Sequence, residues 1–372
     1  MRRIQVVPVS LPQDVGRMVE AWWTIHGEDA EWSPPLLKER RRFLDPERNP
    51  WLQRWEVQFF LALSDGRPVG TISAQIDPSA QEEEPGVGYF GFFEFVDDEG
   101  VARSLLAAAA GWLMERGMEL IRGPYNFIPG QGFGLKVSGP SCACLLDPQA
   151  RGYYPAIYER LGFSVRSTWT SWWFDTSEVE GRVERVADRV LTQSDLTLRP
   201  LDTTRWDSDM ADILTACDAS GEARCGDLVA LMNHLRDLIE PDLVWLAYHE
   251  GVCVGASLAI PDLTPVIRKM KGKMLPFGWY HWWFGRQRIQ ALRLIAVRVD
   301  PELEHKGLSA ALYQQTREAA RKLGVLGMEY PPVRDDDHAA RRFLSRMGGK
   351  KRGTYHVYEA EITTELTEEV GR

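Results

Sequence analysis

Apolar positions along the chain switch between a period of two and a period near 3.6, and the order of these switches repeats. Ile4 to Val9 reads as a strand, and Gln13 to His26 as an amphipathic helix. A Pro-rich turn at Trp32 to Leu37 leads into a basic helix, LLKERRRFLD. The stretch VQFFLALSDGRPVGTISAQID is strand, turn and strand, with Asp65-Gly66 as the hairpin signal. An aromatic strand from Gly88 to Phe95 runs into DDEGVARSLLAAAAGWLMERG, whose Ala and Leu spacing is that of a buried helix. A strand (Leu120 to Gly123), an irregular Gly/Pro segment, a short helix around Ala156 to Leu161 and strands from Phe163 to Phe174 follow.

After a charged helix from Thr176 to Leu191, LTLRPLD restarts a strand and the same plan returns. Helices fit Ser208 to Ala219 and Leu228 to Ile239, and LVWLAYHEGVCVGASLAI is a hairpin turning at Glu250-Gly251. Then come a strand (Ala291 to Val299), a helix (Ser309 to Leu323), a strand (Val325 to Tyr330), a helix (His338 to Met347) and final strands (Lys350 to Ile362). The expected fold class is α+β: two tandem domains, each a mixed, mostly antiparallel sheet flanked by helices. The expected boundaries are 1–175, a linker helix over 176–195, a second domain over 196–364 and a tail over 365–372.

Composition changes this picture little. A chain of 372 residues exceeds what one core usually supports, which agrees with two domains. The formal charge of -9 argues against whole-surface binding to nucleic acid. Five Cys lack zinc-like spacing, so no metal is expected and the thiols are expected to be reduced, as in a cytoplasmic protein. No stretch reaches the roughly 18 apolar residues of a spanning helix, so membrane contact would be peripheral.

The strongest chemical signal is LIAVRVDPELEHKGLSAALYQQTREAARKLG. A buried strand ends at Asp300-Pro301, the turn contains Gly307, and a helix begins at Ser309. Such a turn aims unpaired backbone N–H groups at the space before the helix, where the macrodipole adds positive charge. That arrangement suits a pyrophosphate. An ordinary strand-to-helix turn is the structural alternative.

The residues VDPELEHKGLSAAL, with DDDHAARRFLSRMGG and TYHVYEAEI, resemble the GNAT superfamily of acyl-CoA-dependent N-acyltransferases. FLALSDGRPVGTISAQID, YFGFFEF and YYPAIYERLGF make the first half similar to tandem bacterial proteins of that kind. The resemblance implies coenzyme A as the acyl carrier, held by Val297, Val299, His305, Lys306, Gly307, Leu308, Ser309 and Ala310. Glu304 stands where the family prefers Arg or Gln, so it would have to point outward. In the first half the equivalent loop, VDDEGVAR, crowds Asp97, Asp98 and Glu99 together, and that half reads as a degenerate copy.

Such a reaction needs a base for the protonated amine and an acid for the leaving thiolate. The family's Tyr position is filled by Tyr158 in YERLGF, but by Phe343 in RRFLSRMGG. Glu329 and Tyr330, at the end of the strand before PPVRDDD, are the substitutes, with Tyr355 and Tyr358 behind them. A core or edge aromatic is the alternative for each Tyr, and a buried Glu329 needs a partner or a cleft. Asp337 fits a helix N-cap, and no His stands in a nucleophile pattern.

Residues 270 to 288, MKGKMLPFGWYHWWFGRQR, carry six aromatic residues and no acid, and Leu263 to Val299 holds eight Lys or Arg. Three readings compete. The Trp residues could fill a gap between domains. Phe277, Trp279, Trp282 and Trp283 could sit at lipid headgroups while Lys271, Lys273, Arg286 and Arg288 meet anionic lipid. The segment could also grip coenzyme phosphates or stack on nucleic acid. Some relatives of the tandem architecture put fatty acyl chains on sphingoid amines, so a ceramide-synthase-like activity is an expectation. A catalytically inactive acyl-CoA or lipid-binding scaffold is the alternative.

Overall fold

The computed structural model describes residues 3–127, 133–140, 144–177, 181–193, 195–220, 225–273, 277–304 and 306–367. These form two compact units. Unit 1 comprises Met1–Trp169, Val266–Trp282 and Thr354–Arg372, and unit 2 comprises Thr170–Pro265 and Trp283–Gly353.

The first part of the chain runs β1 (Ile4–Val9), α1 (Val15–His26), α2 (Leu37–Phe43), α3 (Pro50–Arg54), β2 (Glu56–Ser64), β3 (Arg67–Ile76) and α4 (Ala80–Glu83). It continues through β4 (Val87–Phe95), α5 (Glu99–Met114), β5 (Leu120–Gly123), β6 (Leu135–Ser138), α6 (Tyr154–Arg160) and β7 (Ser164–Asp175). The second part runs α7 (Gly181–Gln193), β8 (Leu196–Pro200), α8 (Trp206–Ala219), α9 (Cys225–His234), β9 (Val244–His249) and β10 (Val252–Pro261). There follow α10 (Thr264–Met270), α11 (Gly278–Gly285), β11 (Ala291–Val299), α12 (Pro301–Glu304) and α13 (Leu308–Lys322). The chain closes with β12 (Gly327–Arg334), α14 (His338–Arg346), β13 (Lys350–Glu361) and α15 (Thr364–Thr367).

Both units use one strand plan. In unit 1 the order is β1-β2-β3-β4-β5-β13, antiparallel except for the β4–β5 pair. In unit 2 it is β12-β11-β10-β9-β8, antiparallel except for β11–β12. The expected mixed α+β class and the internal repeat are both present. Each first hairpin turns as its sequence requires: Asp65 and Gly66 take φ 48° and 80°, and Glu250 and Gly251 take 50° and 83°. Two consecutive left-handed residues match the right-handed twist of the flanking strands.

Burial follows the helix faces. α5 drives Val101, Leu105, Leu106, Ala109 and Leu113 onto the β2–β5 face, and α13 does the same in unit 2 with Leu308, Leu312 and Ala320. α7 does not act as a spacer. Its Ala187 and Val190 pack on Ala311 of α13 inside unit 2.

Three expectations are corrected. The last strand does not belong wholly to the second domain: Tyr358 to Glu361 pair with Gly123 to Leu120 in unit 1, because β5 offers an open ladder to any strand of matching register. Residues 365–367 of the expected tail belong to α15, with Leu366 against the unit 1 core; 368–372 lie outside the described residues. Cys217 and Cys225, expected as thiols, form a disulfide with their Cα atoms 5.6 Å apart, where the end of α8 meets the start of α9.

Candidate active site

The β11–β12 pair is a fork. The two strands share only the rungs Ala291↔Gly327, Leu292↔Met328 and Arg293↔Glu329. Beyond Arg293, β11 continues to Val299 with β10 on its other side, while β12 runs on to Arg334 without it. A one-residue irregularity in the β10–β11 ladder, where Leu258 faces Ala296 but Ala259 faces Leu294, bends β11 at this level. Past Arg293 the side of β11 turned to β12 therefore has no partner strand, and an extended amide-bearing chain can pair with backbone there; the Val297 carbonyl accepts Arg298 Nη1 at 3.2 Å. Val297 is partly buried there and Val299 is buried.

β11 ends at the turn before α13. Gly307 is the N-cap of α13, with φ 93°, and no side chain caps the helix. Ala310 and Ala311 N–H groups donate back to the Gly307 carbonyl at 3.1 Å. Among the described residues the N–H groups of Gly307, Leu308 and Ser309 find no acceptor. Val186 and Val190 of α7 stand on the side where a Gly307 side chain would point, with Val186 Cγ1 2.4 Å from an added Cβ. Lys306 is exposed beside the turn. His305 and the Glu304 side chain lie outside the described residues.

Of the three expected catalytic residues, Glu329 and Tyr330 are neighbours in unit 2 and Tyr158 belongs to unit 1. Glu329 is buried at the crotch of the fork, 3.2 Å from Arg352 Nε and 3.9 Å from Arg293 Nη1. Arg352 in turn covers the Trp173 ring, 3.9 Å from its centroid. Of the two alternatives for a buried carboxylate, Glu329 takes the partner: it balances two guanidinium groups, one of them as deeply buried as itself. Tyr330 is the first β12 residue past the last shared rung and packs on the unit 2 core. Tyr158 belongs to unit 1, where Phe93, Phe163 and Tyr358 surround its ring. Burial raises its phenol well above the usual Tyr range, with Glu94 and Tyr358 adding to the effect. It is a core aromatic, so the expected catalytic role is withdrawn for Tyr158. Tyr355 is likewise buried, donating to Asp147 at 3.0 Å. Asp337 caps α14 through Ala340 N–H at 2.9 Å, as its position predicts.

The matching fork in unit 1 is closed. Past the Tyr89↔Arg122 rung, Tyr125 N–H donates to the Phe90 carbonyl and Phe92 N–H to Asn126 Oδ1, each at 2.8 Å. A Cβ on Gly91 would lie 1.7 Å from the Tyr125 carbonyl oxygen, so nothing fits between the arms. At the start of α5, Asp98 accepts the Gly100 N–H at 2.9 Å, and Glu99 pairs with Arg103 and Arg160 at 2.7 Å each. The acids of VDDEGVAR thus take the place an anion would need.

Sequence reasoning missed a polar group in unit 1. Glu94 Oε2 lies 2.8 Å from His26 Nε2 and accepts the Tyr154 hydroxyl at 2.7 Å. Its members are 68 and 60 residues apart from Glu94, so no local pattern joins them.

The basic aromatic segment is open to solvent. Phe277 is 71% exposed, Trp283 67% and Trp279 53%, with Tyr280 and Phe284 close to half. Trp282 is partly buried, and Lys271, Lys273 and Arg288 are exposed, while Arg286 pairs with Glu240 at 2.8 Å.

A forked parallel pair occurs twice in this chain, once open and once closed, and the chain has counterparts among known proteins. The Acetyltransferase (GNAT) family profile matches residues 19–124 and 208–348, which takes in both forks. The chain belongs to the GNAT family. It is an N-acyltransferase, with acyl-CoA as the family's donor substrate. This GNAT chain is 29% identical to the bacterial ceramide synthase of Caulobacter vibrioides, over 96% of its own length and 98% of that protein's. It is 25% identical to Protein YghO of Escherichia coli, over 91% and 90%. Among solved structures, a tandem GNAT protein from the clavulanic acid biosynthesis pathway superposes with a TM-score of 0.59 at 13% identity, covering 97% of this chain and 99% of that one. That likeness speaks to the tandem fold alone.

Proposed function

We propose that the protein moves a long acyl chain from coenzyme A to the primary amine of a sphingoid-type lipid, with the thioester held at the open fork of unit 2. The observation that carries this reading is the fork itself: a length of β11 with no partner strand on one side for the pantetheine arm, leading to the Gly307 and Leu308 N–H groups, which find no acceptor among the described residues, for the pyrophosphate. Ser309 extends that row, and Lys306 adds a positive charge at its edge. The neutral amine attacks the thioester carbonyl directly, the C–S bond breaks, the amine proton leaves to a base and the thiolate departs as coenzyme A. Holding both reactants together supplies much of the acceleration, so no covalent enzyme intermediate is needed. The lipid acceptor is supported by the Caulobacter relative named for ceramide synthesis.

We also propose that the exposed aromatic segment docks the protein peripherally on an anionic membrane, at the cytoplasmic face, where a lipid amine would be met. Long-chain donors and acceptors favour a bilayer, since each buried methylene contributes about 0.8 kcal/mol.

Palmitoyl-CoA, acetyl-CoA and free coenzyme A should each raise the unfolding temperature, palmitoyl-CoA most. A ligand at about a hundred times its Kd adds about 2.7 kcal/mol to the folded state. Incubation with palmitoyl-CoA and sphinganine should yield the N-acyl product by mass spectrometry. Absence of any coenzyme-dependent stabilisation would remove the donor site from the fork. Stabilisation with no product from sphinganine, but turnover of a short polar amine, would remove the lipid acceptor.

A further inference from the structure

Three elements of unit 1 meet at the turn from Lys271 to Lys273, where Lys271 and Gly272 take φ 51° and 69°. The Gly272 carbonyl accepts the Leu37 N–H at 3.2 Å, which ties the turn to the first residue of α2. Gly272 has no room for a side chain, because an added Cβ would lie 2.6 Å from the Pro35 carbonyl oxygen and 3.3 Å from the Trp23 ring. A Cβ on Gly278 would overlap the Lys273 carbonyl, so α11 starts against the same turn. Arg268 of α10 closes the joint by pairing with Glu31 at 2.6 Å.

α2 has two unlike faces. Phe43 is buried against Trp51 and Phe92, and the Arg40 guanidinium lies over the Trp22 and Phe43 rings, 5.6 and 5.2 Å from their centres. Lys38, Arg41 and Arg42 stand at the i, i+3 and i+4 spacing of the other face, and all three are exposed. Lys271 and Lys273 are exposed as well. None of these five cations makes an ion pair or a side-chain hydrogen bond among the described residues. Glu39, the one acid of α2, is 3.9 Å from Arg40. Elsewhere in unit 1, Arg103, Arg116, Arg151 and Arg160 each pair with a carboxylate. Five unpaired like charges on joined elements repel one another, and a partner of negative charge relieves that repulsion.

We infer that α2 and the Lys271 to Lys273 turn form one basic face that seats the anionic headgroups of a bilayer beside the aromatic residues where α11 starts. Phe277 and Trp279, 71% and 53% exposed, adjoin the turn through Gly278. Exposed rings bordered by cations suit a charged bilayer, since the rings enter the headgroup layer while Lys and Arg stay at the phosphates. α2 thus supplies charge attraction to a surface whose apolar part lies some 240 residues further along the chain, as the interval from Lys38 to Phe277 gives 277 - 38 = 239. This face rests on the peripheral docking of the aromatic segment and names the element that makes it selective for anionic lipid. It is independent of coenzyme binding in unit 2.

The full chain would be titrated with vesicles of phosphatidylcholine alone and of equal parts phosphatidylcholine and phosphatidylglycerol, at low salt. Lys38→Gln, Arg41→Gln and Arg42→Gln together should weaken binding to the mixed vesicles about a hundredfold, and should change binding to the neutral ones little. The three sites are exposed, so the unfolding temperature should stay that of the parent. Lys38→Arg with Arg41→Lys and Arg42→Lys, which keeps every charge, should bind as the parent does. Parent-like binding of the neutralised variant to mixed vesicles overturns the face, as does an equal loss on both kinds of vesicle. A charge-keeping variant as weak as the neutralised one also overturns it. If the neutralised variant binds normally while Trp279→Ala with Trp283→Ala does not, the aromatic docking stands and the α2 face falls. If the parent ignores both vesicles, the two fall together; a parent that then binds a single-stranded oligonucleotide, and loses it on neutralisation, gives this face to nucleic acid instead.

Discussion

At Gly307 two demands fall on one residue: a backbone φ of 93°, and Val186 Cγ1 standing 2.4 Å from where a Cβ would lie. Gly324 offers the comparison, because it has φ 75° but nothing within 4 Å of an added Cβ. Left-handed backbone costs an L-residue about 1–2 kcal/mol, so Gly324→Ala should lose about that much stability. Gly307→Ala should lose roughly 1–3 kcal/mol more, because Val186 or the turn must move. Urea unfolding of the two variants checks this. Equal losses would mean that α7 does not lie against the turn. The need for glycine here was legible from the strand, turn and helix order alone. Val186 was not, since nothing in a charged helix said which surface it would cover. Glu329 has the same history: its burial was foreseeable from GMEY, whereas Arg293 and Arg352 come from two other strands.

Elements are joined by charge as well as by packing, and β8 and α8 show how this depends on pH. Arg199 holds both oxygens of Asp209, at 2.8 and 2.7 Å, and the carboxylate is fully buried. Burial raises the Asp209 carboxyl, but the hydrogen bonds from Arg199 and the Asp202 N–H outweigh it and leave it below its ordinary 3.8. A lowered folded value means stability that is fully present above pH 3.8 and is lost as pH falls through the folded value. Asp209→Asn should therefore be less stable at neutral pH and should show a shallower acid limb below about pH 4. Urea midpoints over that range measure both; parallel curves for variant and parent would break the link. Local pattern sufficed for most elements: the ends of β5 and β11 and both hairpin tips fall where alternation and turn chemistry put them. It failed for partners. The pairing of Tyr358 with Gly123 joins residues far apart in the chain, and a strand's own sequence does not say which edge it will meet. The disulfide was missed for the same reason, because Cys217 and Cys225 sit at no framework spacing and belong to two different helices. The open and closed forks divide likewise: the acids of VDDEGVAR hinted at the closed one, but the plug made by Tyr125 and Asn126 could not be read in advance.

At the scale of the whole molecule, an acidic chain shows a basic and aromatic surface segment, and that contrast has a physical consequence. The formal charge of -9 should repel the protein from an anionic bilayer at long range. Phe277, Trp279 and Trp283, all more than half exposed, would have to supply the attraction at short range, with Lys271, Lys273 and Arg288 against the headgroups. Those two forces separate by salt, since screening weakens the charge contacts within about 10 Å at 0.1 M but leaves apolar insertion intact. The protein should therefore sediment with vesicles of mixed neutral and anionic lipid, and lose only part of that binding at high salt. Trp279→Ala with Trp283→Ala should abolish most of the remainder, because two large amphipathic rings are removed without touching the buried core. The double variant should keep its coenzyme-dependent stabilisation, which separates docking from donor binding. Equal sedimentation of parent and double variant, at low and high salt alike, would leave the aromatic segment without a membrane role.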